Sequence, residues 1–418
     1  MREGRGALLF IESNTSGTGR LFVRMARELG FAPVLITARP EKYAFLADAD
    51  APEVVTVPRV DEDELHTLIQ QRFSGGAGVA GITSSSEYFI ATAAALAARF
   101  GLPGPDASAV RAARDKSHQR RVLAAGGVAV PAFRAVDSAS EAVRAARDIG
   151  FPVVLKPVAG SGSVGVRACA DAGETERHAA ALFAAAADER VLVEALVDGP
   201  EFSVEVFDGA VIGITRKHLG APPAFVEAGH DYPAEVGAEV ARALEHTATH
   251  GTTLLGLGWG PLHWELRMHG GTAVPMEVNP RLAGGFIPEL VRQAQGIDLI
   301  RETLRRVVGD APELAPSRRR HASIRFLFAP SAGRLATVEG TAEALALPDV
   351  VDVALYRRPG DALAIEGDFR DRIGHVIACA DGADDACAAA EHARRTVRIS
   401  VEAVDEASDG VARLVGAA

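Results

Sequence analysis

Gly260-Pro-Leu-His-Trp-Glu-Leu-Arg-Met-His-Gly-Gly-Thr-Ala-Val-Pro-Met-Glu-Val-Asn-Pro-Arg281 is the stretch from which the fold is read. Two apolar-alternating runs flank Gly270-Gly271, which is a β-hairpin signal. With the turn centred on Gly271, antiparallel pairing sets Glu265 opposite Glu277, since the two are equidistant from the centre. Alternation in steps of two puts Glu277 and Asn279 on one face, with Arg281 just past the strand end. Facing carboxylates repel, which destabilises a sheet unless a cation sits between them. Oxygen donors alone, with Asn279 as the neutral third, suit Mg²⁺ or Mn²⁺, and Mg²⁺ in such a site usually holds substrate phosphates as well. A solvated hairpin face carrying charges by chance has the same pattern, and this stretch alone leaves both readings open. Of the 12 histidines only His263 shares the face of Glu265, and a structural role is expected for it.

Composition narrows the class. The 418 residues are 48% apolar and 24% charged, ordinary for a globular protein of two to four domains. Asp plus Glu number 55 against 44 Lys plus Arg, a net −11, which argues against a nucleic-acid surface. Cys169, Cys379 and Cys387 show neither metal nor disulfide spacing, so a reducing, cytoplasmic compartment is expected. Ala7 to Ile11 is too short for a signal h-region, and arginines interrupt the Ala-rich stretches before they reach membrane-span length.

Upstream of the hairpin, Val191 to Glu194 and Glu201 to Val206 read as strands joined by Ala195-Leu196-Val197-Asp198-Gly199-Pro200. Such a linker exposes backbone groups able to read an adenine edge, and a carboxylate beyond it can accept ribose hydroxyls. An ordinary connection with solvated acids looks the same. Phe151 to Pro157 is a buried strand carrying Lys156, and a charge there is costly unless it meets an anion. The loop after it, Ala159-Gly-Ser-Gly-Ser-Val-Gly165, lets backbone N–H groups approach a polyphosphate as a lid. It lacks the Gly-Lys-Ser/Thr of a Walker A loop. Arg114 to Ser117 opens a helix ending at Gly126-Gly127. At the start of the chain, Ala7 to Ile11, a small-residue loop, a helix and Pro33 to Thr37 make a β-loop-α-β unit without the dinucleotide G-x-G-x-x-G spacing. Val79 to Thr83 runs into Ser84-Ser85-Ser86-Glu87, expected to cap a helix through Phe100. Downstream, Pro312 to Arg320 reads as a linker. Ala322 to Ala329, Gly333 to Thr337, Val350 to Arg357 and Arg372 to Cys379 follow as strands, with a helix from Ala383 to Thr396.

The order of these parts closely resembles the ATP-grasp carboxylate–amine ligases, the superfamily that includes biotin carboxylase, D-alanine–D-alanine ligase and the L-amino acid ligases. It runs from Lys116 through Leu155-Lys156-Pro157 with its glycine loop and Asp198-Gly199-Pro200-Glu201-Phe202 to Glu265 and Glu277-Val278-Asn279-Pro280-Arg281. Nearly the whole chain is covered, and the Glu-x-Asn-x-Arg segment is the most specific part.

The resemblance implies a mixed α/β and α+β chain with the ATP-grasp fold. An N-terminal open α/β domain would take residues 1–112 and an ATP-grasp core 113–312, its lid subdomain about 127–197. A C-terminal α+β subdomain, 313–418, would complete the active site. It implies ATP and Mg²⁺ or Mn²⁺ as cofactors. Lys116 and Lys156 take the phosphates' positions, Gly160, Ser161, Gly162 and Ser163 belong to the lid, Glu194, Ala195, Leu196 and Val197 form the adenine hinge, and Glu201 is the ribose acceptor. Glu265, Glu277 and Asn279 resemble the metal ligands and Arg281 the residue that stabilises the phosphorylated intermediate. Arg325 falls where biotin carboxylase also has an arginine, and Lys217 with His218 are further phosphate candidates. Phe225-Val-Glu-Ala-Gly-His-Asp-Tyr-Pro233 resembles a loop over the acceptor site, with Glu227 for an ammonium and His230 for a carboxylate or acyl phosphate. Ser84 and Glu87 are the remaining substrate candidates.

The expected activity is amide formation from small-molecule carboxylate and amine substrates, amino acids among them, through an acyl phosphate. Bicarbonate or a thiol as acceptor, and nucleotide binding without turnover, remain as alternatives. A homodimer is the default assembly, and neither nucleic acid nor membrane is an expected partner.

Overall fold

The computed structural model describes residues 5–403 except 16, 74, 76–77, 161, 187, 221–222 and 224. The apolar run Ala7–Ile11 is an inner strand there, because all its neighbours bury it: Leu8 to Ile11 are wholly inaccessible. Ala32–Thr37 and Val79–Thr83 pair with it in parallel on either side, and Glu53–Thr56 adds to Ala32–Thr37. The result is an open parallel four-stranded sheet, the N-terminal α/β layer expected.

The chain divides into two units, one of residues 1–160, 165–217 and 232–319, the other of 161–164, 218–231 and 320 onward. The first holds the parallel sheet and an antiparallel sheet in the order Phe133–Val136, Val191–Ala195, Val153–Pro157, Arg167–Cys169. It also holds the hairpin Pro261–His269 and Thr272–Asn279, flanked by Glu201–Phe207 and then Ala210–Leu219. The second unit lines Glu227–Tyr232, His321–Phe328, Arg372–Ala380 and Val350–Leu355 side by side under the helix Ala383–Thr396. A small sheet of Ala362–Leu363, Gly333–Glu339 and Arg398–Glu402 completes it.

The hairpin's alternation sorts its two faces. Leu262, Trp264, Leu266 and Met268 join Phe202, Val204 and Val206 in one core against the helix Ala238–Leu254. Gly251 on that helix leaves the space the Trp264 indole fills, for a Cβ there would lie 2.4 Å from the ring, and Trp264 Nε1 donates to Thr252 Oγ1 at 3.0 Å. The opposite face carries Glu201, Ser203, Glu205, His263, Glu265 and Arg267, neighbours across the two strands.

Several boundaries differ from expectation. The helix after Ser84–Glu87 is Ile90–Arg99 with no side-chain cap, because the serines bond elsewhere: Ser85 Oγ to Ser13 Oγ and Asn14 N, Ser84 Oγ to backbone. Glu227–Tyr232 is a strand, not a loop; Gly229 permits it, since a Cβ there would meet the Ile324 carbonyl at 2.5 Å. Arg167–Cys169, Arg398–Glu402 and the helix Ala107–Ala113 lay in stretches too short or too charged to show a period. No helix among the described residues is long and apolar enough to cross a membrane.

Candidate active site

Glu265 and Glu277 are register partners, as are His263 and Asn279. The route to that pairing differs from the one expected. Gly270 and Gly271 form a two-residue turn, both with positive φ (55° and 82°), centred between them and not on Gly271. Leu266 then pairs with Pro275, and a bulge at Met276 shifts the register by one residue so that Glu265 meets Glu277. The bulge frees the Met276 carbonyl from the ladder; Arg120 Nη2 donates to it at 2.6 Å and Lys156 Nζ at 3.4 Å.

Lys156 is buried and its ammonium lies 2.5 Å from the Glu194 carboxylate. The anion that this lysine needs is therefore internal. Arg120, wholly inaccessible, donates from Nε to the same carboxylate at 2.5 Å. Burial pushes the Glu194 carboxyl up, yet Arg120 and Lys156 outweigh it and hold the group at about 2. Burial pushes the Lys156 ammonium down against the pull of Glu194. In the hinge that follows, Ala195 N donates to Ala132 O and Leu196 N to Pro152 O, while the Val197 carbonyl accepts from Arg267 Nη1 at 2.8 Å. Glu201, the ribose candidate, is nine-tenths buried between Arg267 Nε at 2.9 Å and Lys217 Nζ at 2.9 Å.

Lysines flank the two hairpin carboxylates. Lys217 Nζ lies 3.1 Å from Glu265, and Lys116 Nζ 3.1 Å from Glu277. Asp115 caps the helix Lys116–Ala125, and Gln119 on it brackets Val278, donating to its carbonyl at 2.9 Å and accepting from its N–H at 3.1 Å. That bracket fixes Lys116 against the hairpin; its ammonium also contacts the Gly160 carbonyl at the start of the glycine loop. His263 bridges Glu205 (2.8 Å) and Glu265 (3.2 Å); burial pushes its imidazole down, but the two carboxylates raise it to about 9. It is thus a charged structural tie on this face.

Among the described residues no group of three or more His, Cys, Asp or Glu side chains is arranged to hold a metal ion. The candidate set is instead two carboxylates and the Asn279 amide. Hard oxygen donors with two negative charges fit Mg²⁺, which completes its shell with water and phosphate. The lysines hold these carboxylates as neighbouring counter-charges.

Arg281 turns toward Glu87, with Nε at 2.8 Å and Nη2 at 2.5 Å from one carboxylate oxygen, and Arg114 Nη1 reaches the other at 3.3 Å. Two substrate and catalytic candidates, Glu87 and Arg281, are therefore in direct contact. Ser84 is buried and turned to backbone, its Oγ 3.4 Å from the Glu12 and Ser86 carbonyls.

In the second unit, Gly162 and Ser163 lie in a turn with positive φ (65° and 61°), Gly162 close to the Phe369 ring, while Ser161 lies outside the described residues. Arg325 is buried between Asp231 (Nη1, 2.7 Å) and Glu391 (Nε, 2.9 Å), with Nη2 2.9 Å from Cys387 Sγ. Burial pushes the Asp231 carboxyl up, and His218 and Arg325 overcome it to hold the group far below the carboxylate range. Glu227 pairs with Arg372 at 2.8 Å, and His230 Nε2 lies 3.4 Å from the same carboxylate.

Arg120, Arg267, Arg114 and Arg372 were not singled out from the sequence. Arg120 was within reach, since a helix sets residues four apart on one face and Lys116 already marked that face. Arg267 was within reach too, since alternation sets it on the face of Glu265, whereas Arg114 and Arg372 are paired by tertiary contacts that no local spacing announces.

Comparison with known proteins places these parts in a wider set. Family models match for an ATP-grasp N-terminal domain at residues 23–104, ATP-grasp domains at 107–163 and 149–289, and the L-amino acid ligase C-terminal domain 2 at 325–402. The uncharacterized protein y4rH of Sinorhizobium fredii (strain NBRC 101917 / NGR234) is 38% identical over 411 residues, 97% of this chain and 85% of that protein. Carnosine synthase 1 of Gallus gallus is 29% identical over 341 residues, 76% of this chain but only 36% of its own length. The crystal structure of an L-amino acid ligase from Bacillus licheniformis superposes with a TM-score of 0.82 at 21% identity, covering 96% of this chain and 100% of that one.

Proposed function

The chain belongs to the ATP-grasp superfamily of ATP-dependent ligases, and we propose that it joins a carboxylate to an amine, both from amino acids or one from a small acid. The observation that carries this reading is the hairpin face, with Glu265 set against Glu277, Asn279 next in line and a lysine beside each carboxylate.

An amide does not form from a carboxylate in water without a better leaving group than oxide, and a phosphoryl group supplies one. ATP phosphorylates the substrate carboxylate to an acyl phosphate, and an amine attacks it and expels phosphate. When bound, Mg²⁺ neutralises charge on the transferring phosphoryl group. Glu265, Glu277 and Asn279 are the residues to hold it, and Lys116 and Lys156 take the nucleotide's phosphates. The hinge from Glu194 to Val197 reads adenine through its backbone, Glu201 takes the ribose, and the loop from Gly160 through Ser161 to Ser163 covers the phosphates and excludes water. Arg281 exchanges Glu87 for the developing charge of the acyl phosphate, with Lys217 as a second clamp. Arg325 is a further candidate for a phosphate charge, Glu227 for an ammonium and His230 for a carboxylate; Ser84 and Glu87 are candidates for substrate contact. The working domains are residues 1–112, 113–312 and 313–418. Its demand for ATP and free substrates, and three cysteines without disulfide spacing, suit the cytoplasm, and a homodimer is the assembly to test for.

Mass spectrometry of products from pooled L-amino acids with ATP and Mg²⁺ tests the reading. The expected result is a species equal to two substrates less water, with one ADP per product. Absence of ADP in every combination overturns it.

A further inference from the structure

Up to Leu266 and Pro275 the hairpin pairs as its two-residue turn dictates. Continued without interruption, that register would set Glu277 opposite Trp264, and so on the face buried in the core. The extra residue at Met276 brings Glu277 opposite Glu265 and Asn279 opposite His263 instead. The facing of the two carboxylates therefore depends on one bulge.

The strand that carries the bulge is poorly placed to hold it unaided. Thr272–Asn279 is the outermost strand of its sheet, paired only with Pro261–His269 among the described residues. Its other edge meets the helix Lys116–Ala125, and two consecutive residues of that helix grip the backbone on either side of Glu277. Arg120 Nη2 donates to the Met276 carbonyl at 2.6 Å. Gln119 donates to the Val278 carbonyl at 2.9 Å and accepts from its N–H at 3.1 Å. Arg120 is itself anchored by Nε on Glu194 at 2.5 Å. Its Nη1 is buried and, among the described residues, meets no acceptor. A buried donor left so costs stability; what recommends a guanidinium here is the reach of its other two nitrogens to two parts of the site.

We infer that Arg120, with Gln119, is a positioning residue: it fixes the bulge from outside the sheet and so turns Glu277 and Asn279 onto the face of Glu265. Its action is through the strand and not through contact with the reacting groups. The inference rests on the ligase reading and on the metal set named there.

The test compares wild type, Arg120→Met, Arg120→Lys and Gln119→Leu. It measures Mn²⁺ bound in the presence of saturating ADP by electron paramagnetic resonance, ADP affinity in excess chelator, and amide hydrogen exchange over residues 272–279. Arg120→Met and Gln119→Leu are expected to weaken Mn²⁺ binding by about 10- to 100-fold, the scale for losing a group that orients a metal ligand. Exchange over the strand is expected to quicken in both. Gln119→Leu leaves the hinge alone, so its ADP affinity in chelator is expected to stay within about two-fold of wild type, whereas a general loosening of the fold would lower it together with the metal. Arg120→Lys, which keeps a donor without the fork, is expected to recover part of the Mn²⁺ affinity. Gln119→Leu removes no charge and carries the test if Arg120→Met fails to fold. Either variant, folded and with Mn²⁺ affinity within about two-fold of wild type or strand exchange unchanged, overturns the inference and leaves the ligase reading standing. So does a Gln119→Leu that loses ADP binding in chelator as far as it loses Mn²⁺. A wild type that binds no Mn²⁺ with ADP defeats the metal set itself, and the inference with it.

Discussion

Lys156 shows at the scale of one residue what a buried charge demands. An ammonium inside an apolar strand has to meet an anion, and it meets Glu194, which Arg120 shares. Glu194 therefore has two tasks: its backbone is paired within the strand that leads into the linker, while its side chain fixes the lysine. The coupling is measurable. The Glu194 carboxyl stands at about 2 against an ordinary 4.5, so its stabilisation is fully present above about pH 4.5 and is lost as pH falls through about 2. Glu194→Gln leaves two buried cations with one counter-charge fewer and is expected to cost about 3–5 kcal/mol at pH 7. Urea unfolding should show the gap between variant and wild type narrowing from pH 5 to pH 3. A gap that stays constant over that range would contradict the assignment.

Among the elements, the hairpin was the most legible part, and its legibility has a physical source. Period-two alternation is imposed by the pleat, so Trp264 facing core and Glu265 facing away are both written in the string. The bulge at Met276 is not, because nothing in Val-Pro-Met-Glu announces an extra residue; the expected pairing came from a turn centre half a residue off, offset by the bulge. Glu227–Tyr232 escaped for a related reason, its residues being too polar to show a buried strand. Gly199, in the linker after the hinge, tests how closely this region packs on the hairpin. Its φ is +99°, and a Cβ there would lie 2.1 Å from the Met268 carbonyl oxygen. Gly271 also has positive φ but opens onto free space. Gly271→Ala should therefore cost about 1 kcal/mol of backbone strain, and Gly199→Ala clearly more, because backbone must move as well. Equal losses in chemical denaturation would show that the close approach does not matter.

For the molecule as a whole, the order of parts along the chain carried the fold, from the N-terminal parallel sheet through the glycine loop and hinge to the hairpin and the C-terminal α+β layer. Sequence order reveals which parts are present, whereas partners such as Arg114 with Glu87 or Asp231 with Arg325 are set by contacts distant in the chain. The unassigned arginines of the site are of this second kind, except Arg120 and Arg267, whose faces follow from helix and strand periods.

The claim on which the rest depends is that Glu265 and Glu277, facing each other across the hairpin, hold the ion that carries the nucleotide's phosphates. Glu277→Ala tests it most directly, by amino-acid-dependent ADP formation at saturating Mg²⁺ alongside thermal unfolding. The account predicts that turnover falls by roughly 1000-fold or more, the scale of losing a group that stabilises the transferring phosphoryl charge, while the protein still unfolds cooperatively. Turnover within a few-fold of wild type in a folded variant would contradict it.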